Sequence, residues 1–251
     1  MSSDVAMADG FSGVGGLSQG ARVVDVFVAP SKTFRDILRS TSWWLPFLLM
    51  VVFTLAQGFV VDRQVGFDRV TENQIQANPK QADAMNQLPP EQKAARIRMA
   101  SKFTAGITYA MPLFLLLAAA IYALILWGSF NFLLGAETTF SRVFAVCMYA
   151  SLPYMLLTIL VIVNLYIGGN AEGYDYKYPV GTSLGYFFAD VAPWLRALLG
   201  RIDIIQLWTV ALTALGMSII AKKSLMQSAM VVFGLWFLMT LLTVGGAAFS
   251  G

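Results

Sequence analysis

The chain has 251 residues, of which 57% are hydrophobic and only 12% charged, and its net charge is +3. Soluble domains carry roughly 25% charged residues, so the deficit points to a polytopic membrane protein. No histidine is present and Cys147 is the only cysteine, which excludes a His-dependent triad, an intrachain disulfide and a cysteine metal cluster. The sequence pI near 9.0 would suggest nucleic acid in a soluble protein. Here basic residues flank apolar runs, where they meet anionic headgroups, and no basic run is interleaved with aromatics.

Residues 1–20 are rich in Gly, Ser and Ala and have no apolar h-region, so they read as a flexible tail and not as a signal peptide. Residues 21–42 read as an interfacial amphipathic segment. Pro30 breaks a helix and Ser31 is a good N-cap. Phe34, Ile37 and Leu38 recur at helical spacing, while Lys32, Arg35 and Arg39 face elsewhere. Trp43 and Trp44 mark the headgroup level. A bilayer core of about 30 Å takes about 20 helical residues, which predicts a first span over 43–61. Residues 62–102 form a polar loop, with a basic helix over Glu91–Lys102 started by Pro89-Pro90. The second span is expected at 104–134, kinked at Pro112, with Ala118, Ala119, Ala120 and Ala123 as a small-residue packing face.

A third span is expected at 143–167. Pro153 within it frees a backbone carbonyl that Ser151, Tyr149 or a neighbouring helix must satisfy. In the loop over 168–203, the apolar stretch Leu184–Leu199 is interrupted by Asp190, Pro193 and Arg196. It is too short and too charged for a span and reads as a short interfacial or re-entrant helix. The fourth span is expected at 204–221, with Gln206, Thr209, Thr213 and Gly216 on one inward face. A Lys222-Lys223 turn follows, then a fifth span at 225–249. The expectation is an all-α polytopic membrane protein, a five-transmembrane-helix bundle over residues 43–251 whose ends lie on opposite sides.

Little in the chain carries chemistry. Ser151, Tyr149, Glu137 and Arg142 have no base partner at recognisable spacing. Glu172 and Asp175 are two carboxylates in one loop, weak grounds for a divalent cation. Gln57, Asn164, Gln206 and Thr213 are polar residues able to line a path. Yet no expected span contains Asp, Glu, Lys or Arg, which coupled transport usually leaves inside the membrane. No catalytic, cofactor-binding or metal residue is assigned, and no cofactor is expected.

Three stretches carry a resemblance. They are Val26-Phe27 with Pro30-Ser31-Lys32-Thr33-Phe34 and Trp43-Trp44-Leu45-Pro46, then Phe144 through Tyr149-Ala150-Ser151-Leu152-Pro153, and Ile204 through Gly216 just before Lys222-Lys223. Their order and spacing, from Val24 to the chain's end, resemble bacterial members of the Yip family. These are integral membrane relatives of the eukaryotic proteins named for interacting with Ypt/Rab GTPases. The resemblance implies a five-helix bundle in a bacterial inner membrane with a cytoplasmic N-terminus, and no catalytic residues to transfer. The Rab-linked role is not carried over, because bacteria generally lack that machinery. Lys/Arg distribution leans against this orientation: seven residues fall on the N-terminal side and ten opposite, seven of those ten in the 62–102 loop. The function expected is a non-catalytic scaffold or partner-binding membrane protein in membrane organisation or trafficking-like processes. It contacts the lipid bilayer and a protein partner or a second copy of itself, and no nucleic acid. The alternative is a small transporter or channel.

Overall fold

A computed structural model describes residues 16–168 and 172–250. Most of the tail expected at 1–20 therefore lies outside the described residues. Its last two positions are already helical: α1 spans Gln19–Val28, and the Ser18 hydroxyl accepts the Ala21 N–H as its cap. Helix α2 covers Pro30–Ile37. Pro30 opens α2 at its first position, where the missing N–H is harmless, so Ser31 is inside the helix and Ala29 is its N-cap.

Among the described residues, four helical segments are long and apolar enough to cross a membrane: Trp44–Gln64, Pro90–Leu133, Phe140–Gly168 and Leu225–Phe249. The first is α3 (Trp44–Gln64). After α4 (Phe67–Gln76) and α5 (Pro79–Asn86) comes α6 (Pro90–Gly128), continued by a π-helical turn over Ser129–Leu133. The 39 residues of α6 reach about 58 Å at 1.5 Å per residue. That is nearly twice the hydrocarbon thickness, so its basic first turns must project into water. Pro112 sits inside this continuous helix and does not divide it.

Pro153 does divide the third segment, into α7 (Phe140–Ala150) and α8 (Tyr154–Val163), followed by a π-helical turn over Asn164–Gly168. The backbone between tightens. The Leu152 N–H donates to the Tyr149 carbonyl at 3.2 Å, and the Ser151 hydroxyl donates to the Met148 carbonyl at 2.8 Å. The carbonyls left over by the proline are thus satisfied internally, as the bilayer demands. The Leu184–Leu199 stretch is likewise two helices, α9 (Leu184–Phe187) and α10 (Pro193–Arg201). Pro193 takes a first-turn position in the second, and the residue before it is pushed out of helical geometry. A fifth apolar helix, α11 (Ile204–Ile220), has 17 residues and is capped by Asp203, whose carboxylate accepts the Gln206 N–H. Helix α12 spans Leu225–Ser250.

The two ends of the bundle are stitched differently. At one end the Asn73 carboxamide donates to the carbonyls of Glu172 (3.1 Å) and Tyr174 (3.0 Å), tying the two long loops together. Phe67, Val70, Val161, Leu165 and Tyr174 form a small core beneath them. At the other end lie α1, α2, the Gly135 turn and the Lys222-Lys223 turn, where Lys223 Nζ donates to the Gly135 carbonyl at 3.2 Å.

The apolar face of the α1–α2 hairpin packs on protein. Val26, Phe34 and Ile37 are fully buried in the main core with α7 and α11. Arg22 is 1% exposed, and its Nε donates to Asp36 Oδ2 at 2.6 Å. Its Nη1 reaches the Ser40 carbonyl at 2.8 Å, and the Thr33 hydroxyl donates to the Arg22 carbonyl at 2.8 Å. Helical spacing identified the apolar face correctly, but periodicity does not distinguish protein from lipid as its cover. Beneath it, a Cβ on Gly216 would stand 2.6 Å from Val146 Cγ1 and 3.0 Å from Phe34, so α11 meets α2 and α7 at a point where only glycine fits.

Removing one partner of a buried ion pair strands the other charge, at roughly 3–5 kcal/mol. Arg22→Ala is therefore expected to lower the unfolding free energy in detergent by about that amount, and Asp36→Asn to do likewise. Gly216→Val is expected to cost about 1–3 kcal/mol by overpacking. Gly234→Ala on α12, where an added Cβ meets nothing within 4 Å, should leave thermal unfolding unchanged or slightly raised.

Candidate functional site

A cavity of about 490 Å³ opens between α3, α6, α8, α11 and α12, within the range typical of small-molecule sites. Met50 and Phe53 of α3, Met111 and Leu115 of α6, and Met155 and Met239 give it an apolar, methionine-rich wall. Such side chains adapt to irregular shapes. Its polar lining includes Gln57, Tyr154, Tyr176, Arg201, Gln206 and Thr209.

Arg201 closes α10 as its last residue, placed where a cation favours the helix C-terminus. Its Nε donates to the Thr240 hydroxyl at 3.3 Å. The Gln206 carboxamide, oriented by this hydrogen-bond pattern, accepts from Nη1 at 3.0 Å and Nη2 at 3.2 Å and donates to the Arg201 carbonyl at 3.2 Å. Among the described residues no carboxylate lies within 4.0 Å of Arg201. Neighbouring Asp203 is occupied by the Gln206 N–H and by the Thr182 hydroxyl at 2.6 Å. Two buried polar atoms on the lining, Thr209 Oγ1 and Trp236 Nε1, have no hydrogen-bond partner among the described residues.

The cavity brings together Gln57, Ser151, Gln206 and Thr213 of the expected polar residues and excludes Asn164. The amide of Asn164 turns toward the Pro179 carbonyl at 3.4 Å. Cys147 is buried in the core and touches the cavity. The Tyr149 hydroxyl donates to Gln19 Oε1 at 2.8 Å, which makes it a tie to α1. Glu137 is exposed in its turn, and Arg142 lies 3.5 Å from the Leu38 carbonyl. Sequence reasoning missed Arg201, Tyr154, Tyr176 and Trp236, which come from four separate elements. One signal was present: Gln206, Thr209 and Thr213 recur on one face of α11, and the cavity wall uses that face.

The paired carboxylates serve a loop network. Asp175 accepts from Arg196 Nη2 at 2.8 Å and from the Lys177 and Tyr178 N–H groups. Glu172 stands 3.8 Å from Arg69. Arg196 also lies over the Tyr178 ring at 4.5 Å, and the Tyr178 hydroxyl donates to the Arg196 carbonyl at 3.2 Å. Burial pushes the Tyr178 phenol above its ordinary value, with Arg196 opposing and Asp175 adding to the shift.

The sequence model of the Yip1 domain matches residues 24–246. The chain belongs to the Yip1 domain family. No curated protein and no solved structure matches it. The family match begins within α1 and ends within α12, so Asp36 of the clamp and every wall of the cavity lie inside the Yip1 domain, while Arg22 falls just before its start. As a Yip1-domain protein with four span-length apolar helices, it is an integral, polytopic membrane protein in contact with the lipid bilayer.

The raised Tyr178 value fixes a sign. Below pH about 10, the ordinary phenol value, the folded and unfolded states are both protonated there and the full stability is present. Above it the unfolded chain ionises first, so stability falls as pH climbs through the folded value. A phenol absorbance titration alongside thermal unfolding is expected to show this alkaline loss in the wild type. Tyr178→Phe should flatten that limb while lowering stability modestly at neutral pH, since the bond to Arg196 goes with it.

Proposed function

We propose that this Yip1-domain protein is a non-catalytic membrane scaffold that presents its N-terminal hairpin to a protein partner or to a second copy of itself. The observation that carries this reading is the rigid seating of the hairpin. Its inner face is locked by Arg22, Thr33 and Phe34, while Lys32, Arg35 and Arg39 stay exposed outside. Val24 and Val28, one turn apart, are 60% and 73% exposed beside them. A preorganised basic and apolar platform binds without first paying to order a loop. The reading takes the hairpin to be cytoplasmic and the membrane to be a bacterial inner membrane. The absence of catalysis is part of the same proposal. It is supported by side chains such as Tyr149, Asp175 and Arg142 being engaged in structural bonds.

Transport is the second reading, favoured by the cavity. Among the described residues Arg201 is the only charged one on the lining, which gives ion or proton coupling little to work with.

Affinity purification in mild detergent is expected to recover a reproducible partner or a self-associated form. Lys32→Glu and Arg35→Glu together should abolish it without shifting thermal unfolding, because both side chains are solvated; Arg39 is left in place because its Nε pairs with Asp36 at 3.1 Å. Recovery of neither form would sink the scaffold. Reporter fusions at both termini should give opposite sides with the N-terminus inside. Solute flux in proteoliposomes would instead favour transport.

A further inference from the structure

We infer that the cavity between α3, α6, α8, α11 and α12 is a binding site for a single amphiphile with an acyl chain and an anionic headgroup, the headgroup bound by Arg201. This inference is independent of the scaffold reading and survives its failure.

Four arginines among the described residues are buried or half-buried: Arg22, Arg142, Arg196 and Arg201. Arg142 reaches only the Leu38 carbonyl, at 3.5 Å, and lies away from the cavity. Arg22 has Asp36 at 2.6 Å, and Arg196 has Asp175 at 2.8 Å. Arg201 faces the cavity with only neutral acceptors, Thr240 and Gln206. A guanidinium offers five donors in a fixed fork, and its preferred complement is a carboxylate or phosphate. At the membrane such a charge ordinarily finds an anion or marks a ligand path.

Thr209 and Trp236 also line the cavity, but their unpartnered Oγ1 and Nε1 are buried behind its surface, so the polar recognition of a headgroup falls to Arg201. The rest of the wall is largely apolar, with Met50, Phe53, Met111 and Leu115. A largely apolar space with one guanidinium on its lining matches an amphiphile. A soluble metabolite has no use for the methionine-rich wall, and burial of an acyl chain there is favourable by about 0.8 kcal/mol per CH₂.

Phosphatidylglycerol and a free fatty acid share this chemistry, and the test separates them. The full-length protein is reconstituted in phosphatidylcholine nanodiscs containing brominated phosphatidylglycerol, dibromostearate or brominated phosphatidylcholine, and tryptophan emission is read. Trp236 lines the site, so the anionic probe that binds should quench more than brominated phosphatidylcholine. Trp236→Phe should remove that excess. Arg201→Gln should abolish it, and Arg201→Lys should retain part of it by keeping the charge. Ala118→Phe, which fills the cavity from α6 without touching Arg201, should abolish it too. This last variant covers the case in which Arg201→Gln fails to fold. Equal quenching by all three probes overturns the inference. So does an anionic excess that persists in Ala118→Phe, because enrichment of anionic lipid around the protein's outer surface would give that result.

Discussion

A peptide group inside a bilayer has no water to bond, and that constraint shapes this protein at every level. It requires helices wherever the chain meets lipid and confines irregular backbone to places where side chains or neighbouring carbonyls repair it. The break at Pro153 shows the repair in one turn. The proline removes a donor, the backbone tightens, and Ser151 turns its hydroxyl back onto the Met148 carbonyl. Asp203 caps α11 for the same reason at the point where the chain re-enters the bundle. The hydroxyls of Thr108, Thr213 and Thr240 each bond a carbonyl four residues back, so the polar side chains of the spans are largely committed to their own helices.

Against that background the few charges within the folded body stand out. Arg22 is enclosed where the hairpin meets the bundle, with a carboxylate and backbone carbonyls around it. Such a pair adds little net stability over an apolar replacement, but it admits one geometry. It holds α1 and α2 in register with each other and sets Phe34 into the gap left by Gly216. The exposed face of the hairpin, with Lys32 and Arg35, is thereby fixed in space. Arg196 does equivalent work at the other end, where it joins Asp175, Tyr178 and the Gly185 carbonyl into one knot. There Gly185 and Gly200 let α9 and α10 approach so closely that an added Cβ on Gly185 would stand 2.9 Å from the Gly200 backbone.

Arg201 differs from both, and the difference is architectural. It sits where α10 ends and α11 begins, on the rim of a space that five helices enclose without filling. The five helices share a tightly packed centre around α7, where Val143, Ala145, Met148 and Ala150 are buried. The cavity lies beside that centre, and its lining also takes Tyr176 from a loop and Arg201 from the end of α10.

By itself the sequence determined the class of protein, the approximate limits of the apolar segments and the amphipathic nature of residues 21–42. These follow from composition and from period, which are local properties that survive without knowledge of neighbours. Pro153 and Pro193 also declared themselves as breaks, though not whether each would divide a helix in two, and Pro112 gave the same signal while its helix stayed continuous. Tertiary structure alone decided what covers each face. The Phe34–Ile37 stripe packs on α7 and α11 instead of lipid, since hydrophobic spacing has no term for the identity of the apolar partner. It also decided which polar residues meet: Gln57, Gln206 and Thr213 converge and Asn164 does not, because convergence depends on helix rotation and tilt. Arg201 and Trp236 are 35 residues apart in the chain and share one cavity only because α10 and α12 pack together, a contact that no local pattern encodes.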